Sequence, residues 1–525
     1  MIQINKIQLF IISTLVLIIG ILFYFFAFDS YYFYDDITYL RYANQIANNK
    51  FHLTADNFCH RMGLIIPTAM LFNFFETNQI TSTLTSFFCW IGCLFICFKL
   101  LKNNYLAFTI SIIFCGLDYY HIFFINKAYP DMPLTFFSFL SLYVLYKQYF
   151  EIKNNELINS LAFSLTILLA FISKTTIIYL FPFYLFLFII DFIKKENIKF
   201  WINTIIFSVI IFVVYFGYYY IKTGNPLFIF SSIENNHYVS SGSYYDKGNL
   251  EMLTRLTYEP LLMLINSGMI IPLVIIILTF NYKEFKLINK PTFWLASIIS
   301  ILGMFWFGTL SLKFYHPMAL NPRMIILLVP PLAISASLYF NQMFENKKII
   351  ITLSIIFILL TTICALYINL NKSIVYLIIS ISLITTYFIK NKNTQIKLFT
   401  IGLLISLSIQ PIYGIFKTKI YGFDEEKLIF ENYLIPIKNE KLIIITDNRL
   451  VKSWDYYVQF NKPTKWQFIE FKNFDSSQIS SNTKKYFLVK KGFCEYLNIN
   501  LRMKNQHLKL ITESNKDVKL YEYIK

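Results

Sequence analysis

The chain has 525 residues, of which 56% are hydrophobic and 15% charged, and its formal net charge is +17. A soluble protein of this length would carry far more charge on its surface, so an ordinary water-soluble globular fold is excluded. Apolar runs long enough to cross a bilayer recur along most of the chain and make it a polytopic membrane protein.

The first run, LFIISTLVLIIGILFYFFAF (9–28), has no basic cluster at its start beyond Lys6 and no small-residue cleavage site before Asp29. It reads as a retained span rather than a signal sequence. FYDDITYLRYANQIANN (33–49) follows, with Ile37, Leu40, Ala43, Asn44 and Ala47 at helical spacing. That spacing predicts a short amphipathic helix at the membrane interface. Asp35 or Asp36 can cap its N-terminus, where free backbone N–H groups favour an anion, and one carboxylate is then left over. FCHRMGLIIPTAMLFNFFE (58–76) is again amphipathic or partly re-entrant. The first outer loop, 29–79, is therefore about fifty residues of mostly helical, membrane-hugging chain, which is unusual for a plain transporter.

Further spans are predicted near 80–98, 105–124, 133–150, 157–173, 175–192, 201–221, 261–280, 292–311, 323–342, 348–369, 373–389 and 396–412, about thirteen with the first. The stretch 157–192 is broken only by SKTT (173–176) and Pro182, so the count stays open by one either way. Cys89, Cys93 and Cys97 fall on one helical stripe and read as small packing thiols. Asp118 lies near the outer end of its span and is placed to line the acceptor cavity there. In NKAYPDMPLTFFSFL (126–140), Asp131 sits between two prolines where a helix enters the membrane, a natural cap beside a first-turn Pro133. Carboxylates on these two loops are expected to meet over one cavity at the outer surface.

Basic residues outside the spans are candidate phosphate binders: Lys174, which interrupts the 157–192 stretch, Arg323, which opens RMIILLVPPLA, and Lys127 and Arg61 beside the acidic motifs. Each is equally readable as an interfacial anchor. His60 and His316 are candidate proton carriers or ligands. The loop 222–260 carries Tyr238, Tyr244 and Tyr245, which suit either sugar stacking or an interfacial belt.

Lysines test the topology. With the N-terminus inside, the inner loops carry Lys99 and Lys102, Lys147 and Lys153, then Lys194, Lys195 and Lys199. Lys283, Lys286 and Lys290, Lys347 and Lys348, and Lys390, Lys392 and Lys397 follow. Every inner loop is basic, as the positive-inside rule requires, so the net charge reports topology and not a nucleic-acid partner. An odd span count puts the C-terminus outside. The membrane part is read as 1–412 and a small extracytoplasmic α/β domain as 413–525. Its expected strands are KLIIIT (441–446), DYYVQF (455–460), WQFIEF (466–471) and KKYFLVKK (484–491). Cys494 is its one cysteine, so no internal disulfide is expected.

YDDITYLRYA, HRMGLIIPTAML, YPDMPLTFFSFL, KTTIIYLFPFYLF and YHPMALNPRMIILLVPPLA occur in that order. Over roughly residues 5–345 the set resembles the GT-C type integral-membrane glycosyltransferases, nearest the protein mannosyltransferase and aminoarabinose (lipid A) transferase-like branch. The family's frequent Asp-Glu pair is Asp-Asp here, and HRMGLIIP stands near the place of its HPPL-like segment. The resemblance implies an all-α GT-C-like membrane domain in the bacterial inner membrane. It also implies transfer of a sugar from a polyprenyl-phosphate donor to a lipid, glycan or protein acceptor at the outer face. The family's first acidic position lands on Asp35, with Asp36 beside it, and the second on Asp131. Chemistry agrees: the acceptor must lose a proton as it attacks, which Asp35 can take, while Asp131 orients the acceptor or helps hold a divalent cation. Asp35, Asp131 and His316 are the candidate cation ligands. Two other readings compete. A flippase or transporter of lipid-linked glycans would show inverted repeats and polar sites at span centres. A glycan polymerase or ligase would carry its large outer loop late in the chain.

Overall fold

The computed structural model describes residues 6–31, 35–151, 155–237, 247–280, 289–309, 315–417, 422–474, 483–490, 508–514 and 518–524. Lys153, Tyr238, Tyr244, Tyr245, Lys283, Lys286 and Cys494 lie outside the described residues. Contacts divide the chain into two units. The first comprises Met1–Ala27, His52–Pro67 and Thr83–Phe416; the second comprises Phe28–Phe51, Thr68–Ser82 and Lys417–Lys525.

In chain order the helices are α1 (Lys6–Phe26), α2 (Asp35–Ala47), α3 (Met62–Phe74), α4 (Gln79–Leu101), α5 (Tyr105–Leu117), α6 (Tyr119–Phe123), α7 (Asp131–Phe150) and α8 (Glu156–Ser173). Then come α9 (Phe181–Lys194), α10 (Ile198–Thr223), α11 (Phe228–His237), α12 (Asn249–Leu256), α13 (Glu259–Ser267), α14 (Ile270–Thr279) and α15 (Lys290–Phe307). The last in the first unit are α16 (Val329–Tyr339), α17 (Lys347–Tyr367), α18 (Leu370–Phe388) and α19 (Lys392–Phe416). Each predicted span contains α-helix, although the one at 323–342 is α-helical only over α16 and otherwise made of 3-10 turns, and 310–311 lie outside the described residues. Among the described residues nine helices are long and apolar enough to cross a membrane, or up to eleven if two bent pairs each count as one. The pairs are α5 with Tyr119–Asn126, bent by 54°, and α13 with α14, bent by 105°. Two expected spans fall short of that test. The apolar part of α1, Phe10–Phe26, is brief, and α7 mixes serine, tyrosine, Lys147 and Gln148 into its apolar face. The first unit is thus all-α and polytopic. Val213, Val214 and Ile221 on α10 and Leu366 and Tyr367 on α17 stay more than 60% exposed, a surface only lipid would cover.

Small residues set the close approaches. A Cβ on Gly63 would lie 2.0 Å from Ser173 Oγ and 2.9 Å from the Ser173 Cα. The start of α3 is thereby pressed against the end of α8, one residue before Lys174. Cys89, Cys93, Cys97 and Cys115 are buried free thiols.

Lys99, Lys147 and Lys194 occupy last helical turns, and Lys290, Lys347 and Lys392 open helices, so basic residues gather at alternate helix connections. A reporter fused after Lys525 should be active outside the cytoplasm and one at Lys195 inside. Cytoplasmic activity at both positions would shift the span count by one.

The second unit carries a five-stranded sheet of order β2-β1-β3-β5-β4. Its strands are β1 (Leu442–Thr446), β2 (Trp466–Glu470), β3 (Lys484–Lys490), β4 (Leu508–Glu513) and β5 (Val518–Tyr523). β1 pairs parallel with β2 and β3, while β5 pairs antiparallel with β3 and β4. The unbroken apolar run of β1 suits a strand buried on both faces, and all five of its residues are buried. Leu442 and Ile444 pack on one side with Phe430 and Leu520, and Ile443 and Ile445 on the other with Phe471 and Phe487.

DYYVQF is not a strand. Asp447 caps a short helix, α21 (Asn448–Ser453, preceded by α20, Phe423–Ile429), by accepting from Leu450 N–H at 3.0 Å. The chain then runs on as a 3-10 turn, Trp454–Val458. Asp455 and Tyr456 are spent on tertiary partners there, which overrides the weak alternation. β4 and β5 were not expected; their lysines and glutamates mask the apolar alternation.

Candidate active site

In the first unit the sequence-flagged residues converge. α7 opens at Asp131, where Pro130 and Pro133 make the helix entry rigid. Lys174 stands in extended backbone between α8 and the 3-10 turn Thr175–Leu180. Its Nζ donates to Asp131 Oδ1 at 2.6 Å and lies 3.2 Å from Met324 Sδ. Asp131 is 1% and Lys174 7% exposed, so this is a buried ion pair. Oδ2 of Asp131 is buried and has no hydrogen-bond partner among the described residues. Arg323 and Arg61 are both within electrostatic reach of Lys174. The Arg323 guanidinium sits over the Tyr129 ring, 5.0 Å from its centroid, and Arg61 donates to Asn57 Oδ1 at 3.2 Å. Lys127 is also buried; its Nζ lies 5.6 Å from the Phe123 ring centroid, and its carbonyl accepts from Ser86 Oγ.

His60 is 1% exposed. Its Nδ1 meets Tyr219 Oη at 2.9 Å and its Nε2 meets Ser232 Oγ at 3.2 Å, so it ties the turn before α3 to α10 and α11. Burial, and then the adjacent Arg61 guanidinium, push its pKa down to about 4 from 6.5. The neutral imidazole is therefore the native form. The unfolded chain takes up the proton first, so the stability from His60 is complete above pH 6.5 and is lost as the pH falls toward about 4. His60→Gln should flatten the fall in unfolding temperature across that window, as read by thermal melts of the purified protein. An equally steep fall in the variant would assign the acid sensitivity elsewhere.

His316 is buried, and burial lowers its pKa while Glu234 raises it. Its backbone N–H donates to Thr309 Oγ1 at 3.0 Å. Arg255, fully buried on α12, donates to the carbonyls of Phe305, Trp306 and Met318 and so fixes both flanks of this segment. Among the described residues no three His, Cys, Asp or Glu side chains gather as a metal would need. The expected trio Asp35, Asp131 and His316 is not such a group.

The second unit holds Asp35 and Asp36. The interfacial helix expected here exists as α2, but it is packed, not laid on a surface: residues 36–40, Tyr42 and Ala43 are buried. Arg41 fastens it by donating to Asp455 from Nε at 2.7 Å and from Nη2 at 3.0 Å, and to the Lys452 carbonyl at 2.8 Å. Tyr31 Oη donates to Tyr456 Oη at 2.5 Å, and Ser82 Oγ lies 3.3 Å from the same hydroxyl. Asp36 is 0% exposed and acts electrostatically on Tyr31 and Tyr456, whereas Asp35, the first residue of α2, is half-buried. Arg41→Met should speed hydrogen exchange of the 35–47 amides by about ten- to a hundredfold, the loss expected for a bidentate charge-assisted contact. Exchange in β1 and β3 should stay unchanged; equal acceleration there would mean the whole sheet had loosened.

Sequence reasoning missed Met324, Tyr129, Arg255 and Arg41, which serve the named residues through contacts no local pattern encodes. Lys372 was also missed. Its signal was present: a lysine in the first turn of a span, at an end that the positive-inside pattern leaves poor in charge.

No protein-family model and no curated protein matches the chain. Solved structures do. ArnT from Cupriavidus metallidurans in the apo state matches with a TM-score of 0.61 at 10% identity, over 99% of this chain and 98% of that one. ArnT from the same organism bound to undecaprenyl phosphate gives 0.63 at 11% identity, over 97% and 98%. At such identity the likeness shows the fold: this chain has a GT-C-like fold related to that of ArnT.

Proposed function

We propose that the protein transfers a sugar from a polyprenyl-phosphate donor to a lipid, glycan or protein acceptor at the outer face of a bacterial cytoplasmic membrane. The observation that carries this reading is the cluster of Lys174, Arg61 and Arg323 with one carboxylate, Asp131, set against them. Excess positive charge at a site largely closed to water favours an anionic ligand. A lipid phosphate is an anion that reaches such a site from the bilayer. The likeness to a structure bound to undecaprenyl phosphate supports the same ligand class.

In the proposed step the acceptor oxygen attacks the anomeric carbon and the bond from that carbon to the phosphate oxygen breaks. The electron pair leaves with the polyprenyl phosphate, whose charge Lys174, Arg323 and Arg61 stabilise, with Lys127 as a further contact. Asp35 takes the acceptor proton. Asp131 holds Lys174 through Oδ1 and offers its unpartnered Oδ2 to orient a hydroxyl. A single displacement inverts the anomeric centre. Strict alternation of the spans puts Asp131, Lys174 and Arg323 at one end of the helices, the outer end by the lysine pattern.

One observation favours the transporter reading: both bent helix pairs lie in the membrane unit, and broken helices mark the sites of many transporters. The test is a panel of polyprenyl-phosphate sugars offered to membranes holding the protein, scored for free polyprenyl phosphate. Release with one or a few donors supports transfer. No release with any donor, in the presence of envelope acceptors, overturns it.

A further inference from the structure

One short turn of the small domain ties down the loop that carries Asp35. Its residues Asp455, Tyr456 and Tyr457 send their polar ends three ways. Asp455, 1% exposed, accepts from two nitrogens of Arg41 on α2 and lies 3.2 Å from Lys462 Nζ. Tyr456 Oη accepts from Tyr31 Oη at 2.5 Å and lies 3.3 Å from Ser82 Oγ. Tyr31 stands just before α2, and Ser82 stands in the first turn of α4, past the far end of the loop. A single hydroxyl therefore gathers both ends of the first outer loop. Tyr457 faces the other way. Its Oη donates to Glu426 Oε2 at 2.5 Å, and its ring stacks on Phe430 with centroids 4.6 Å apart. Glu426 is buried, accepts from Arg449 and lies 3.6 Å from Lys490 Nζ at the end of β3. Tyr457 thus roots the turn in the small domain, while Asp455 and Tyr456 hold the loop.

Asp35 lies between the two ties. Upstream of it, the rings of Phe28 and Tyr31 pack edge-on against Phe423, with centroids 5.2 and 5.5 Å away. Downstream of it, Arg41 holds Asp455. A guanidinium that gives two bonds to one carboxylate fixes direction as well as distance. An interfacial helix needs only its apolar stripe, so an ionic and hydroxyl tie on each flank is more than anchoring requires. A general base does require it. The carboxylate must stay within hydrogen-bond reach of the proton it takes, and a misplacement of about 1 Å can cost about a hundredfold in rate.

We infer that Asp455 and Tyr456 are positioning residues for Asp35, so that the small domain serves the reaction as a clamp on the first outer loop. The inference rests on Asp35 being the base of the proposed transfer, and it gives the small domain a part in that step. Asp455→Asn keeps the side chain's shape and loosens its grip on Arg41. Tyr456→Phe keeps the ring and removes the hydroxyl shared by Tyr31 and Ser82; it decides the matter if Asp455→Asn misfolds. Asp36→Asn cuts neither tie. Each clamp variant should lower the single-turnover transfer rate at saturating donor about ten- to a hundredfold per folded molecule. The half-saturating donor concentration should move by less than about threefold, because Lys174, Arg323 and Arg61 belong to the other unit. The deciding measurement is a double-mutant cycle on the full-length protein. Asp35→Asn/Asp455→Asn should be no slower than Asp35→Asn alone, since a base that is gone cannot be misplaced. Losses that multiply in the double variant, clamp variants at the wild-type rate, or a donor affinity that falls along with the rate would overturn the clamp and leave Asp35 as the base. An Asp35→Asn protein at the wild-type rate would overturn the base reading and the clamp with it.

Discussion

Asp35→Asn should leave the protein folded and inserted while turnover falls by about a hundredfold or more, the scale of lost proton-transfer catalysis. The substitution keeps size and hydrogen-bonding capacity and removes only the basic charge. The neighbouring carboxylate provides the control. Asp36 is 0% exposed and acts electrostatically on Tyr31 and Tyr456, so Asp36→Asn acts on the packing of α2 and costs little turnover per folded molecule. Asp131→Asn should fall almost as far as Asp35→Asn, because it frees Lys174 and blunts the unpartnered Oδ2 together. A dead Asp36→Asn beside a near-normal Asp35→Asn would move the base one residue along. Wild-type rates in purified, monodisperse Asp35→Asn and Asp131→Asn would make both carboxylates structural.

Lys174→Met should raise the donor KM about ten- to a hundredfold, as expected for a lost charge-assisted contact to phosphate. Because Lys174 and Asp131 form a buried pair, the single variant also strands a carboxylate, and part of its effect will be on folding. The double variant Lys174→Met/Asp131→Asn separates the two. It removes both charges and should regain thermal stability while donor use stays poor. Arg323→Met leaves the pair intact and should weaken donor use without loss of stability. Unchanged donor kinetics in Lys174→Met and Arg323→Met together would return both residues to the role of membrane anchors.

Much of the membrane part could be read from the sequence, because lipid imposes one solution, the helix, on every apolar run. Each predicted span contains α-helix, and the SKTT interruption does separate α8 from α9, with Lys174 at the break. The bends at Asp118 and Gly268 were missed although each apolar run is interrupted there, by Asp118 in one and by Asn266, Ser267 and Gly268 in the other. The pairing of Asp131 with Lys174 could be suspected only from their shared membrane end; 43 residues separate them and no local signal joins them. The fate of α2 was misjudged for a related reason. Its stripe is that of an interfacial helix, but Arg41 finds Asp455 more than four hundred residues away, and a contact so distant leaves no trace in periodicity. In the small domain the buried strand β1 announced itself, whereas the charged strands β4 and β5 did not.

The most direct test of the central claim is a single-turnover experiment with purified protein in sealed vesicles, a donor labelled in its sugar, and acceptor on the outer face. Transfer predicts that each labelled acceptor appears with one free polyprenyl phosphate, that both need the acceptor, and that both vanish together in Asp35→Asn. Intact donor arriving on the opposite leaflet, with no polyprenyl phosphate released, would contradict the account and make the protein a carrier of lipid-linked sugar.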